Sequence, residues 1–150
     1  MDKSIKKIYT ELLYRLTRDG DDISTFHALC DNKGPTLTLF QTDNENIVGI
    51  YTPLSWDSTS GWKSDMDTFI FNLNKNQKYK KLKEYYSIYC ESSYGPYAGN
   101  FGCHKSMKSI IYKVDYINNY YYKYSKIFIS SGGINEYHLF ETEVYKIIIE

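Results

Sequence analysis

The stretch TFHALCDNKGPTLTLFQT, residues 25–42, decides the fold of this chain. It opens with a short helical pattern that ends near Cys30 and continues through a turn containing Gly34 and Pro35. Proline suits the start of a strand, because there it does not have to donate a hydrogen bond to a neighbouring strand. From Thr36 onward, polar and apolar residues alternate with the period of two that is typical of a β-strand. The stretch therefore predicts a helix, a turn and the first strand of a sheet.

The residues before this stretch predict further helix. Apolar residues recur there at spacings of three and four, the repeat of an amphipathic helix over residues 4–16: Ile5, Ile8, Leu12 and Leu16. Turn-forming residues follow at 17–22. Ser24 is expected to cap a second helix that ends at Leu29 and turns Ile23 and Phe26 toward the core.

The residues after this stretch predict a sheet. Residues 47–51 form a second strand, and the turn 42–46 makes the pair a hairpin. By alternation, four side chains of the hairpin should point inward: Leu37, Leu39, Val48 and Ile50. Further strands are expected at residues 68–73, 86–90, 109–114, 126–129 and 143–149, with loops at 58–61, 74–76, 94–96 and 131–133. Glycine at position 49 should allow a close backbone approach or a bulge.

Together these elements predict one domain over residues 1–150. The expected class is α+β, mainly antiparallel β, with a two-sheet β-sandwich core and a few peripheral helices. Four large or apolar side chains are expected to be mostly buried: Trp56, Phe69, Phe71 and Val144.

Composition narrows the class of partner. Eighteen basic residues balance eighteen acidic ones, so the chain lacks the net positive charge that favours nucleic acid. One cluster keeps nucleic-acid binding open as a weaker alternative, because lysines stand beside a tyrosine that could stack on a base: Lys75, Lys78, Tyr79, Lys80, Lys81 and Lys83. The seventeen tyrosines otherwise fit half-buried strand positions. No apolar run reaches the roughly 20 residues of a transmembrane helix.

The cysteines bear on compartment and on catalysis. Their number is odd, Cys30, Cys90 and Cys103, and no CxxC motif occurs, which favours a cytoplasmic or nuclear location. His27 with Cys30, and Cys103 with His104, supply the ligand types of a zinc site, but their spacing is poor for one, so neither a metal nor a cofactor is predicted. A thiol-dependent antioxidant enzyme that uses Cys30 or Cys103 stays open as an alternative, and it would need an exposed thiolate.

Several motifs together resemble those of the TLDc domain family, over about residues 12–148. The resemblance rests on LYR and RDG at 13–20, CDNKGPTLTL at 30–39, VGIYT at 48–52 with Trp56, FIFNL at 69–73, Gly95-Pro96, Phe101-Gly102 and EVYKI at 143–147. It implies a non-enzymatic protein-interaction module, since no accepted catalytic centre belongs to the family. It also implies a role in the oxidative-stress response or in regulation of the vacuolar proton pump.

The resemblance also indicates two candidate binding residues. Asp19, in the turn beside Gly20, and Glu143, on the outward side of the last strand, match acidic positions that recur in the family. We expect them to belong to a polar surface patch that recognises a protein partner. In the alternative, Asp19 only caps its turn and Glu143 only pairs with a lysine across the sheet.

Overall fold

The computed structural model describes residues 6–43, 45–80, 86–99, 101–113 and 134–150. In chain order, the elements within these residues are β1 Ile8–Arg15, α1 Leu16–Asp19, α2 Ile23–Cys30, β2 Thr36–Thr42, β3 Ile47–Thr52, β4 Thr59–Lys63, β5 Phe69–Asn72, β6 Gln77–Lys80, β7 Ile88–Glu91, β8 Tyr94–Ala98, β9 Phe101–His104, β10 Ser109–Lys113 and β11 Ile134–Ile149. The strands pair antiparallel, so the predicted α+β, mainly antiparallel class is confirmed.

The long strand β11 joins two halves of the sheet. Its first residues pair with β10, and its later residues pair with β2 on one side and β1 on the other. The strand order is β4-β7-β8-β9-β10-β11-β2-β3-β5-β6, with β1 added beside β11. Both halves contribute side chains to one buried cluster, among them Phe40, Ile50 and Ile70 from one half and Ile88 and Ile110 from the other. This shared core is the packing expected of a sandwich.

The predicted hairpin is confirmed, but the inward-facing residues of its first strand were predicted wrongly. Val48 and Ile50 are fully buried, as expected. In β2 the buried residues are the threonines and Phe40, whereas Leu37 and Leu39 are partly exposed on the opposite face. Leu39 lies beside Gly49 in the register, not beside Val48 or Ile50. Because side chains alternate strictly, this one-residue difference moves both leucines to the outer side of the sheet.

The predicted helix over residues 4–16 is also wrong. Within the described residues of that segment, Ile8–Arg15 forms the strand β1, which pairs with β11 along its whole length, and only Leu16 belongs to a helix. The helical spacing of the apolar residues gave no helix, because pairing with an adjacent strand outweighs a weak local preference. The second helix is confirmed with Ile23 and Phe26 buried, but its N-cap residue is Asp22 and not Ser24.

The remaining predictions have mixed outcomes. Strands are confirmed around 69–72, 88–91 and 109–113, and the last predicted strand is part of β11. The predicted loops 58–61 and 94–96 instead contain the start of β4 and most of β8. The predicted strand 126–129 and loop 131–133 lie outside the described residues.

The predicted core is largely confirmed. Trp56 and Val144 are buried, Phe71 is 7% exposed, and Phe69 is only partly buried. Trp56 packs edge-on against Phe26, with ring centroids 6.0 Å apart, and its indole Nε1 donates to Thr36 Oγ1 at 2.9 Å. A side chain at Gly49 would meet the Thr38 carbonyl oxygen and the Phe71 ring, so this glycine serves the expected close approach.

Candidate functional site

The candidate site lies on the outer face, by which we mean the outward side of β1, β2, β3, β5, β6 and the later part of β11. Strand register fixes which residues share it. One row across the strands consists of Arg15, Glu143, Leu39, Gly49, Phe71 and Lys78. The next row consists of Leu12, Tyr145, Leu37, Tyr51, Phe69 and Lys80. Both rows have an apolar centre and end in a lysine of β6.

The apolar centre forms a groove with a volume of about 420 Å³. Its apolar lining consists of Leu37, Leu39, Phe69, Phe71 and Leu73, and its polar lining of Asn72, Asn76, Gln77 and Lys78. Tyr51 stacks on Phe69 at the side of the groove, with ring centroids 5.2 Å apart. The Lys78 ammonium lies 4.2 Å from the centroid of the Phe69 ring, a cation–π contact at the rim.

The acidic end of the outer face is formed by Glu141 and Glu143. With Leu39, Gln41 and Ile47 these residues line a depression of about 80 Å³. Glu141 accepts hydrogen bonds from the Thr17 hydroxyl at 2.6 Å and the Thr17 N–H at 3.1 Å. From Glu143 on β11 to Lys78 on β6 is four strand spacings, or about 19 Å. Arg15 offsets the charge of Glu143, so among the described residues the negative charge of Glu141 stands at this end, opposite the lysines of β6.

The two predicted binding residues meet through one arginine. The Arg15 guanidinium donates to the Glu143 carboxylate at 2.6 and 2.9 Å, and the Arg15 N–H donates to the Asp19 carboxylate at 2.9 Å. A hydrogen bond from Arg18 lowers the pKa of Asp19, although partial burial opposes the shift. Asp19 therefore has a local turn-forming role as well. Glu143 pairs across the strands with an arginine and not with the lysine of the alternative hypothesis.

His27 is held in place by three oxygen atoms. Its Nδ1 lies 2.7 Å from the Asp31 carboxylate, and its Nε2 lies 2.9 Å from the Glu91 carbonyl and 2.8 Å from the Tyr94 carbonyl. These contacts join α2 to the β7–β8 turn. Because both ring nitrogens are engaged with these oxygens, the geometry gives His27 a positioning role in the fold and not that of a base beside Cys30.

The cysteines lack the setting of a reactive thiol. All three are buried, and none of them forms a disulfide. Burial raises the pKa of Cys30, Cys90 and Cys103, and the carboxylates of Asp31 and Asp19 add to the effect at Cys30. A catalytic thiolate needs the opposite shift and access to solvent. Among the described residues, no group of three or more His, Cys, Asp or Glu side chains could hold a metal.

In the described part of the basic cluster, the tyrosine and the lysines face opposite sides of the sheet. Tyr79 points into the core, with 7% exposure, while its neighbours Lys78 and Lys80 point outward. Lys81 and Lys83 lie outside the described residues. On the other half of the sheet, a cross-strand aromatic ladder packs Trp62 against Tyr89 at 5.0 Å, Tyr89 against Tyr94 at 4.8 Å and Tyr94 against His104 at 4.1 Å. These described tyrosines pack within the sheet, as predicted for tyrosines at strand positions.

Comparison with known proteins supplies one family. The model of the TLDc domain matches residues 1–148, nearly the whole chain and slightly more than the sequence motifs indicated. No curated protein matches the chain closely enough to serve as a relative. In the described part of the chain, no helix is both long and apolar enough to cross a membrane.

Proposed function

We propose that this chain, which belongs to the TLDc domain family, acts as a non-enzymatic module that binds a protein partner through its outer face. One observation carries the proposal: an apolar groove lies between acidic and basic ends on a single side of the sheet. Protein interfaces commonly combine an aromatic and aliphatic centre with a polar, charged rim. Charges of opposite sign at the two ends would also fix the orientation of the partner.

We place the partner in the oxidative-stress response, with the vacuolar proton pump as the specific candidate and the cytoplasm as the compartment. Family membership supports this choice. The alternative of a thiol-dependent antioxidant enzyme gains no support from the described residues, because Cys30 and Cys103 are buried with raised pKa values. Stress protection would then follow from binding and not from thiol chemistry.

The test uses isolated vacuolar membranes that carry the assembled pump. The purified protein is added, and both its co-sedimentation with the membranes and ATP-driven acidification are measured. We expect saturable co-sedimentation and a change in acidification rate, with neither effect on membranes from cells that lack the pump. Equal co-sedimentation with both kinds of membrane, or none with either, would contradict the choice of partner.

A further inference from the structure

We infer that the groove at the basic end of the outer face binds a partner segment in which an apolar side chain stands next to a carboxylate. The inference rests on the proposed function and specifies the chemistry of the partner at one place. Two features of the groove carry it: an apolar floor without a covering element in the described residues, and a single ionisable group at the rim.

The floor determines the apolar part of the ligand. Leu37, Leu39 and Phe69 are only partly buried, and Leu73 is 55% exposed. A volume of about 420 Å³ lies in the range of ligand sites, but the groove is open along the sheet. An open groove cannot enclose most of a free small molecule, whereas it can accept one or two side chains of a longer segment. A leucine or phenylalanine of a partner protein therefore fits the floor best.

The rim determines the charge of the ligand. Among the described residues that line the groove, Lys78 is the single ionisable one, and its polar neighbours there are the neutral amides of Asn72, Asn76 and Gln77. Lys80, two residues further along β6, points to the same side of the sheet. Among the residues that the structure describes, no carboxylate forms an ion pair with Lys78 or Lys80. A partner carboxylate at this rim would thus meet two cations without competing with an internal ion pair.

The same segment has a complementary second contact available. Glu141 and Glu143 line the depression at the far end of the outer face, about 19 Å from Lys78. Glu143 already pairs with Arg15, while Glu141 bonds to the neutral Thr17. A partner whose acidic residue lies at Lys78 can therefore place a basic residue near Glu141. This arrangement distinguishes a protein segment from a fatty acid, which carries a single charge.

The experiment is an NMR titration of the ¹⁵N-labelled protein with two blocked peptides that differ in one residue, which is negatively charged in one peptide and positively charged in the other. The probes are acetyl-Ala-Leu-Phe-Glu-Ala-amide and acetyl-Ala-Leu-Phe-Lys-Ala-amide, with decanoate as a separate lipid-like probe. We expect the acidic peptide to shift amide signals of residues 37–39, 69–73 and 76–78. Its affinity should exceed that of the basic peptide about two- to fivefold, the effect of one exposed charge pair.

Three variants make the test specific. Lys78→Gln combined with Lys80→Gln should abolish the preference for the acidic peptide, and Lys78→Gln alone should reduce it. Lys108→Gln, which changes an exposed lysine away from the groove, should retain it in full. Equal affinity for both peptides, signal shifts confined to other residues, or binding of decanoate alone would overturn the inference. If the protein shows no preference for the acidic peptide but still binds pump-containing membranes, this inference is wrong and the proposed function is retained. If membrane binding fails while the peptide preference is retained, the choice of partner falls and the groove chemistry stands.

Discussion

Arg15 and Glu143 face each other across β1 and β11, and the arginine ties this glutamate to Asp19 through its own backbone N–H. The two acidic residues singled out by family resemblance thus belong to one network that joins α1, β1 and β11. Asp19 is at the turn end of the network, whereas Glu143 lies on the outer face beside Leu39. The two residues should therefore differ when each is changed alone.

Asp19→Ala is expected to destabilise the fold by about 1 kcal/mol, because the Arg15 N–H loses its side-chain acceptor, as when a helix cap is removed. Glu143→Ala should change the urea midpoint little, because its ion pair with Arg15 is partly open to solvent and such pairs contribute little to stability. It should instead weaken binding to pump-containing membranes. The double variant should combine both effects, and Glu136→Ala, an exposed position on the other part of β11, is the control. A folded double variant with full binding would leave both residues with structural roles alone.

Two threonines on the inner side of β2 should respond in opposite directions to the same substitution. Thr36 Oγ1 accepts the indole hydrogen bond of Trp56, whereas Thr38 Oγ1 is buried without a hydrogen-bond partner among the described residues. Thr38→Val should raise the free energy of unfolding by about 1 kcal/mol, because it removes an unsatisfied polar group at nearly constant shape. Thr36→Val should lower it by about 1–3 kcal/mol, because the indole N–H is then left buried without an acceptor. Chemical denaturation measures both, and a stabilised Thr36→Val variant would contradict the core geometry.

The three thiols should be unreactive in the folded protein. Each is buried and has a raised pKa, so the reactive thiolate is scarce at neutral pH. Iodoacetamide should therefore modify them orders of magnitude more slowly than it modifies free cysteine, and all three should react fully in denaturant. Mass spectrometry of the alkylated protein measures the rate at each position. Rapid labelling of Cys30 or Cys103 at neutral pH would instead favour the thiol enzyme.

Acid should weaken the fold partly through Asp57. Burial alone would raise the pKa of this carboxyl, but hydrogen bonds from Lys63 and Thr59 outweigh it and bring the pKa to about 2. A folded-state pKa below the ordinary value of about 3.9 means that ionised Asp57 stabilises the fold fully above that value, and that this contribution is lost as the pH falls toward 2. Asp57→Asn should therefore be less stable than the parent at pH 6 and lose less stability between pH 4 and pH 2. Asp43→Asn, at an exposed turn, is the control. If Asp57→Asn lost as much stability between pH 4 and pH 2 as the parent protein, the stabilising role of ionised Asp57 would be contradicted.

The sequence predicted the elements that local chemistry determines. The Gly34–Pro35 turn, the hairpin that follows it and the helix before it all carry their own signals, and the structure contains all three. The orientation of β2 was predicted wrongly because threonine is polar yet packs well inside a sheet. The alternation in TLTLF is therefore compatible either with the leucines or with the threonines facing the core. The strand β1 was missed because its partner, β11, is distant in the sequence.

The candidate site was harder to predict for the same reason. Glu143 could be singled out from a family motif, but its partner Arg15 became evident only from the pairing of β1 with β11. Leu37 and Leu39 were expected in the core, so the groove they line was not foreseen. Lys78 belongs to the basic cluster of the sequence, but the register of β5 and β6 places it opposite Phe71, from where its ammonium reaches the Phe69 ring. Long-range strand register, which a single sequence does not encode in a local pattern, assembles the outer face.

The most direct test of the central claim compares two exposed apolar residues. Leu73 borders the groove and is 55% exposed, whereas Met66, 54% exposed, lies in the loop before β5 and lines none of the groove. The dissociation constant for pump-containing vacuolar membranes should rise at least about tenfold in Leu73→Asp, since an interface anchor of this kind contributes more than about 1.4 kcal/mol. It should stay unchanged in Met66→Asp. Unimpaired binding by a folded Leu73→Asp variant, or equal loss in both variants, would contradict binding through the outer face.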